Sequence, residues 1–153
     1  MEILLLALYL VFIAAPASTY FHELGHALAA NLVKADMIHI TIGKGKQMIH
    51  LSNEKINTYV NRQFFLGAYT VSTRENPYTA YEKIFIALMG PLTNGIIVIL
   101  LYILYGVIPN IYLELAFWFN LWLAIVNMIP FKWREKHTDG YTIYKEARTN
   151  NIL

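Results

Sequence analysis

Three stretches of this chain hold no Asp, Glu, Lys, Arg or His: Ile3 to Phe21, Ile84 to Leu113 and Leu115 to Phe131. At about 1.5 Å of helical rise per residue, each is long enough, or nearly so, to cross a hydrocarbon core roughly 30 Å thick. The pattern predicts three membrane-spanning helices. The second stretch is too long for one crossing and is broken by Gly106, Pro109 and Asn110, so one helix is placed over 80–105 and the next over 111–130, joined by a tight turn. The first helix is placed over 3–30.

Composition narrows the partners. With 57% apolar and 14% charged residues and a net charge of +2, the chain is too apolar for a disordered segment and too nearly neutral to bind nucleic acid. It has no cysteine, so any bound metal must be held by nitrogen and oxygen.

All twelve Lys and Arg lie between Lys34 and Lys83 or between Lys132 and Arg148. The positive-inside rule places both segments in the cytoplasm, with the N-terminus and the 106–110 turn outside, in a multi-pass protein of the cell membrane. Ala15-Pro16-Ala17 superficially resembles a signal-peptide cleavage site, but the n-region carries Glu2 and no basic residue, so the first helix is expected to stay as an anchor. Pro16 is expected to kink it.

From Asp36 to about Val71 the pattern changes. Alternation over Ile38-His39-Ile40-Thr41-Ile42, turn residues at Gly43-Lys44-Gly45-Lys46, then Met48-Ile49-His50-Leu51 predict a β-hairpin; 57–60 and 64–71 are two further candidate strands. The expected architecture is thus a membrane α-helical fold. A three-helix core carries a small β-rich segment (36–71) between helices one and two and ends in a loop and tail (131–153). All of it forms a single domain over 1–153.

The strongest local signal is His22-Glu23-Leu24-Gly25-His26. On a helix, residues four apart share a face, so both imidazoles can hold one cation, while the glutamate beside the first histidine can act as general base on water. These groups continue a run without charges, where an ionised side chain costs several kcal/mol or so on insertion scales and is a functional residue by default.

A catalytic zinc needs a third protein ligand. The extended motif with a third histidine fails, because Ala29 and Leu32 stand where Gly and His are required. Candidates are Glu54, Glu75, Glu82, Glu135, His137 and Asp139. The third helix returns the chain to the depth of His22 and His26, and Asp139-Gly140 suits a sharp turn that aims a carboxylate there.

Three motifs in order resemble those of the site-2 protease family of intramembrane zinc metalloproteases: the HELGH helix; Gly90-Pro91-Leu92-Thr93-Asn94, similar to its GPxxN; and Asn127-Met128-Ile129-Pro130 with Asp139-Gly140, similar to its NxxP…DG. The resemblance implies a three-helix core, Zn2+ held by His22, His26 and Asp139, and Glu23 as catalytic base. It also implies that Asn127 and Pro130 shape the loop near the metal and that Asn94 contacts the substrate or a facing helix. The implied activity is regulated intramembrane proteolysis, with transmembrane or membrane-associated peptides as substrates near the cytoplasmic face. One departure stands out: eight residues separate Pro130 from Asp139 where a shorter approach is expected, leaving His137 as a substitute ligand.

The competing class is a non-catalytic membrane protein that keeps the fold to bind a helical partner or a metal; a membrane zinc enzyme cutting a non-peptide bond is a third. Glu23 discriminates, since binding alone needs no base. The strand around 64–71 is a candidate edge for an extended substrate. His39 and His50 are read as solvated strand histidines, and the lysines and arginines as facing anionic lipid headgroups.

Overall fold

The computed structural model describes residues 1–134, 136–150 and 152. Three helices are long and apolar enough to cross a membrane: Glu2–Leu32, Ala80–Val107 and Ile111–Met128. The first consists of α1 (Glu2–Tyr9), a π-helical turn (Leu10–Ala14) and α2 (Ala15–Leu32). The strands β1 (Met37–Ser52) and β2 (Ile56–Thr73) follow, then α3 (Ala80–Val107), α4 (Ile111–Met128), the short β3 (Lys132–Trp133) and β4 (Lys136–His137), and α5 (Asp139–Thr149).

Pro16 explains the π turn. Proline has no N–H to give the carbonyl one turn back, and the wider helical turn just before it absorbs the missing bond while the backbone stays helical throughout. Thr19 Oγ1 donates to the carbonyls of Ala15 and Pro16 at 2.9 and 3.1 Å. Proline therefore changes the winding of the first span without ending it.

α3 is the central helix, in contact with α2, α4 and α5. Small residues set the approach: a Cβ added at Gly25 would collide with Met89 O and Thr93 Oγ1 of α3. Lipid tails are as apolar as the side chains they would replace, so close backbone packing and hydrogen bonds hold such helices together. Their outer faces expose Ile96, Ile99, Leu100 and Ile103 on α3 and Trp118, Trp122 and Ile125 on α4. Their buried centre holds Ser18, Asn94 and Asn120. Apolar side chains face outward and polar ones inward, the inverse of a protein in water and suited to a bilayer.

β1 and β2 form an antiparallel pair whose strands bend strongly. Ile38 to Ile42 have partners on both sides, 68–72 on one flank and 56–60 on the other, and 47–52 pair with 57–61. Ile38, Ile40 and Ile42 point inward onto Ala27, Ala30 and Ala35. Burying each isoleucine contributes about 1.5–3 kcal/mol, so this contact seats the sheet on α2.

The chain reverses at Gly43–Lys46, as predicted: 38–42 run in the same sense as 56–60, whereas 47–52 run opposite to 57–61. The two arms do not pair with each other, because 56–60 lies between them after a second reversal at Asn53–Lys55. Gly43 and Gly45 adopt φ of +75° and +88°, and a Cβ on Gly43 would strike the backbone of Gln63 and Phe64. The glycines let the chain double back and let the 63–64 backbone approach.

Arg74 fastens sheet to helices. Its guanidinium donates to Glu82 at 2.8 and 2.9 Å, to Val33 O at 2.7 Å, to Asn76 O at 2.7 Å and to Pro77 O at 3.1 Å. Glu82 also completes a capping box with Thr79 at the start of α3. One carboxylate thus anchors both the helix start and the loop that leads into it.

Candidate metal centre

His22 and His26 lie one turn apart on α2, and both are buried. Asp139, the first residue of α5, reaches them from the far end of the chain. His22 Nε2 is 3.0 Å from Asp139 Oδ2, and His26 Nε2 is 3.3 Å from Asp139 Oδ1. One ligand atom from each of the three residues falls within 4.8 Å of the others.

The histidine tautomers follow from their second nitrogens. His26 Nδ1 lies 2.7 Å from the carbonyl of Ile86, which can only accept, so Nδ1 carries the proton and Nε2 a bare lone pair. His22 Nδ1 lies 2.6 Å from Asn94 Oδ1. The Asn94 amide is oriented by its Nδ2, which donates to Ser18 O at 3.2 Å and Asn120 Oδ1 at 2.8 Å. His22 therefore also presents a bare Nε2. In the neutral rings these two lone pairs face a carboxylate, an arrangement that needs a proton or a metal cation among them. A tetrahedral zinc with ligands at about 2.0–2.1 Å places those ligands roughly 3.3 Å apart, and the two imidazole–carboxylate edges are close to that size. The donor set, its spacing and its tautomers fit a divalent metal.

Two glycines make room for this arrangement. A Cβ on Gly90 would collide with His26 Nε2 and Cε1 and crowd His22 Nε2, so the Gly90-Pro91 step of α3 lies directly against both imidazoles. Pro91 sits inside a helix that continues through it. A Cβ on Gly140 would collide with the carbonyl of Met128 at the end of α4. Gly140 is helical and needs no unusual backbone angle; the glycine serves close approach, in place of the sharp turn expected of it.

The described residues between Pro130 and Asp139 form a side excursion. Lys132–Trp133 pairs with Lys136–His137, and Thr138 N donates to Phe131 O at 3.0 Å to close the loop at its base. Thr138 Oγ1 donates to Ile129 O at 2.6 Å and accepts from Phe131 N at 3.0 Å and from Tyr141 N at 3.3 Å, which caps α5. The insertion leaves the path to Asp139 short.

The other candidates fall elsewhere. Glu82 is engaged by Arg74 and Thr79, Glu54 sits at the hairpin tip, and Glu75 N is bound to Asp36 at 2.8 Å in the loop before α3. Glu135 lies outside the described residues. His137 lines the cavity beside the centre but is not among the three converging groups. His39 and His50 each stack with Tyr59, ring centroids 6.0 and 4.6 Å from its own, and neither joins a metal cluster among the described residues.

A cavity of about 690 Å3 opens at the centre. Its walls include His22, Glu23, His26, Asn127 and Asp139 on one side and 66–71 of β2 on the other, with Lys44, Lys136 and His137 also lining it. Glu23 lines this space and is not among the three converging groups, while its backbone carbonyl accepts from Thr70 Oγ1 at 3.0 Å. Asn127 Nδ2 donates to Leu123 O at 2.9 Å within α4, and Pro130 lies exposed in the strand-ward exit from that helix. Asn94 is fully buried, and both hydrogens of its amide are committed to Ser18 and Asn120; it meets facing helices and His22, with no face left for a substrate.

Fold and site together define a membrane protein of three spans with a histidine–carboxylate centre between its helices. The chain matches Peptidase family M50 over residues 9–112, more than half of its length, and belongs to that family, the site-2 protease family of membrane zinc metalloproteases. Asn127, Pro130, Asp139 and Gly140 lie beyond the matched span, so their place in the site rests on geometry. No curated protein matches the chain. Sequence reasoning missed Ser18, Thr70 and Asn120; two polar residues inside uncharged spans, Ser18 and Asn120, were the available signal.

Proposed function

We propose that the whole chain is one membrane-embedded catalytic core that binds Zn2+ through His22, His26 and Asp139 and cleaves peptide bonds in transmembrane or membrane-associated segments. The observation that carries this reading is the convergence of two imidazole nitrogens and a carboxylate, with Glu23 lining the same cavity. Zinc bound there supplies Lewis acidity, polarising a carbonyl and acidifying water. Glu23 takes the proton from the attacking water on a carboxylate oxygen and delivers it to the leaving amine nitrogen. The basic segments flanking the spans support a cytoplasmic site in the cell membrane, with the N-terminus outside and the C-terminus inside.

A substrate helix must unwind before it is cut, and its freed amides and carbonyls need partners, since each costs several kcal/mol or so unpaired in lipid. Residues 68–73 pair with β1 on one flank only, and no strand covers the other among the described residues. This edge lines the cavity, and Thr70 ties it to the backbone of Glu23. It takes the unwound segment as an added strand. Proline placed singly from Leu66 to Val71 should block cleavage at the cavity-facing amides with zinc content intact; full cleavage at every position removes the edge from the mechanism.

The test of the activity is Glu23→Gln, assayed on a membrane peptide cut by the parent. Cleavage should fall by about 10²–10⁴-fold, the range of a lost general base, with one zinc retained. Undiminished cleavage would show that Glu23 is not the base, and a parent that binds zinc but cuts no membrane peptide would favour the non-catalytic reading of the fold.

A further inference from the structure

Asn120 lies in the middle of α4, 2% exposed, inside a span that crosses lipid. Its Nδ2 donates to Ala116 O at 2.8 Å and to Ser18 Oγ at 2.9 Å. Both acceptors face the same nitrogen, and the Ala116 carbonyl can only accept, so the amide cannot be turned over without setting oxygen against oxygen. That fixes Oδ1 toward Asn94, whose Nδ2 it receives at 2.8 Å. Asn94 in turn must aim its own oxygen at His22 Nδ1, 2.6 Å away. The series runs from a backbone carbonyl of α4, through one side chain of α4 and one of α3, to a ligand of α2. Every polar atom in it has a fixed direction.

We propose that Asn120 is a positioning residue for the metal centre: through Asn94 it holds His22 in the tautomer that leaves Nε2 free to bind the ion. The inference rests on His22 being a metal ligand, as proposed above. It gives α4, which contributes no ligand, control over the centre. Second partners of ligating histidines fix ring orientation and basicity, and losing one typically costs about 10- to 100-fold in metal affinity. Without Asn120 the Asn94 amide keeps only the longer 3.2 Å bond to Ser18 O and can turn its NH2 toward His22. The ring then answers with a bare Nδ1 and a protonated Nε2, which cannot bind the ion.

The experiment compares zinc affinity, by competition with a chelator, in the parent, Asn120→Leu and Asn120→Asp, together with thermal unfolding of each metal-free protein. A neutral, protonated Asp presents a carbonyl to Asn94 and a hydroxyl to Ser18, so it should keep affinity within about threefold, while Asn120→Leu should lose about 10- to 100-fold. Metal-free stability separates the roles: a residue that only packs helices lowers the unfolding temperature and leaves the affinity of the folded protein unchanged. Unchanged affinity in Asn120→Leu, or equal loss in Asn120→Asp, overturns the proposal. A parent that binds no zinc overturns the reading of the site itself. Should Asn120→Leu fail to fold, the ¹⁵N imidazole spectrum of metal-free parent decides: His22 must show a protonated Nδ1 and a bare Nε2, and the opposite tautomer rejects the series.

Discussion

The two histidines and the aspartate reach the same point by different means. His22 and His26 are neighbours on one helix turn, so the geometry of α2 alone puts their rings together, 4.8 Å between centroids. Asp139 arrives through two helices and a folded-back loop, held by the Thr138 cap and by the absence of a side chain on Gly140. The first half of the centre is a property of a local spacing, and the second is a property of packing. Disturbing a local spacing removes a ligand outright, whereas disturbing the packing moves one by fractions of an ångström.

That contrast predicts a graded series. Gly90→Ala puts a methyl group where both imidazoles sit, and a helix backbone cannot yield easily. Overpacking costs up to about 3 kcal/mol, so zinc affinity should fall by roughly 100-fold, read by chelator competition. Gly140→Ala meets the carbonyl of Met128 and pushes only α5, so it should cost about 10-fold in affinity with the histidine pair undisturbed. If Gly140→Ala proves the more damaging, the aspartate side is the rigid half and the comparison is reversed.

Much of this was legible in the sequence, and the limits have physical causes. Runs without charge mark spans because lipid excludes charge, and the three helices follow. The HELGH spacing marks a ligand pair because helical periodicity is fixed. Ile38, Ile40 and Ile42 alternate as a half-buried strand should. The Gly43–Lys46 glycines marked a true reversal, but which segment each arm pairs with is not written in them, and 56–60 lies between the two arms. Asn120 and Ser18 were overlooked because hydrogen bonds between helices leave no period in the chain. Asp139 was reached only by topology and resemblance, since nothing in its neighbours records what lies across the bundle.

The central claim is that one divalent ion is held jointly by the local pair and the distant carboxylate. It is tested most directly by metal content and affinity of the purified protein beside His22→Ala and Asp139→Ala. The account predicts one zinc per chain in the parent and, in each variant, an affinity lowered by at least about 100-fold, since either change leaves two of the three protein ligands. Stoichiometric zinc bound at parental affinity by Asp139→Ala would contradict it.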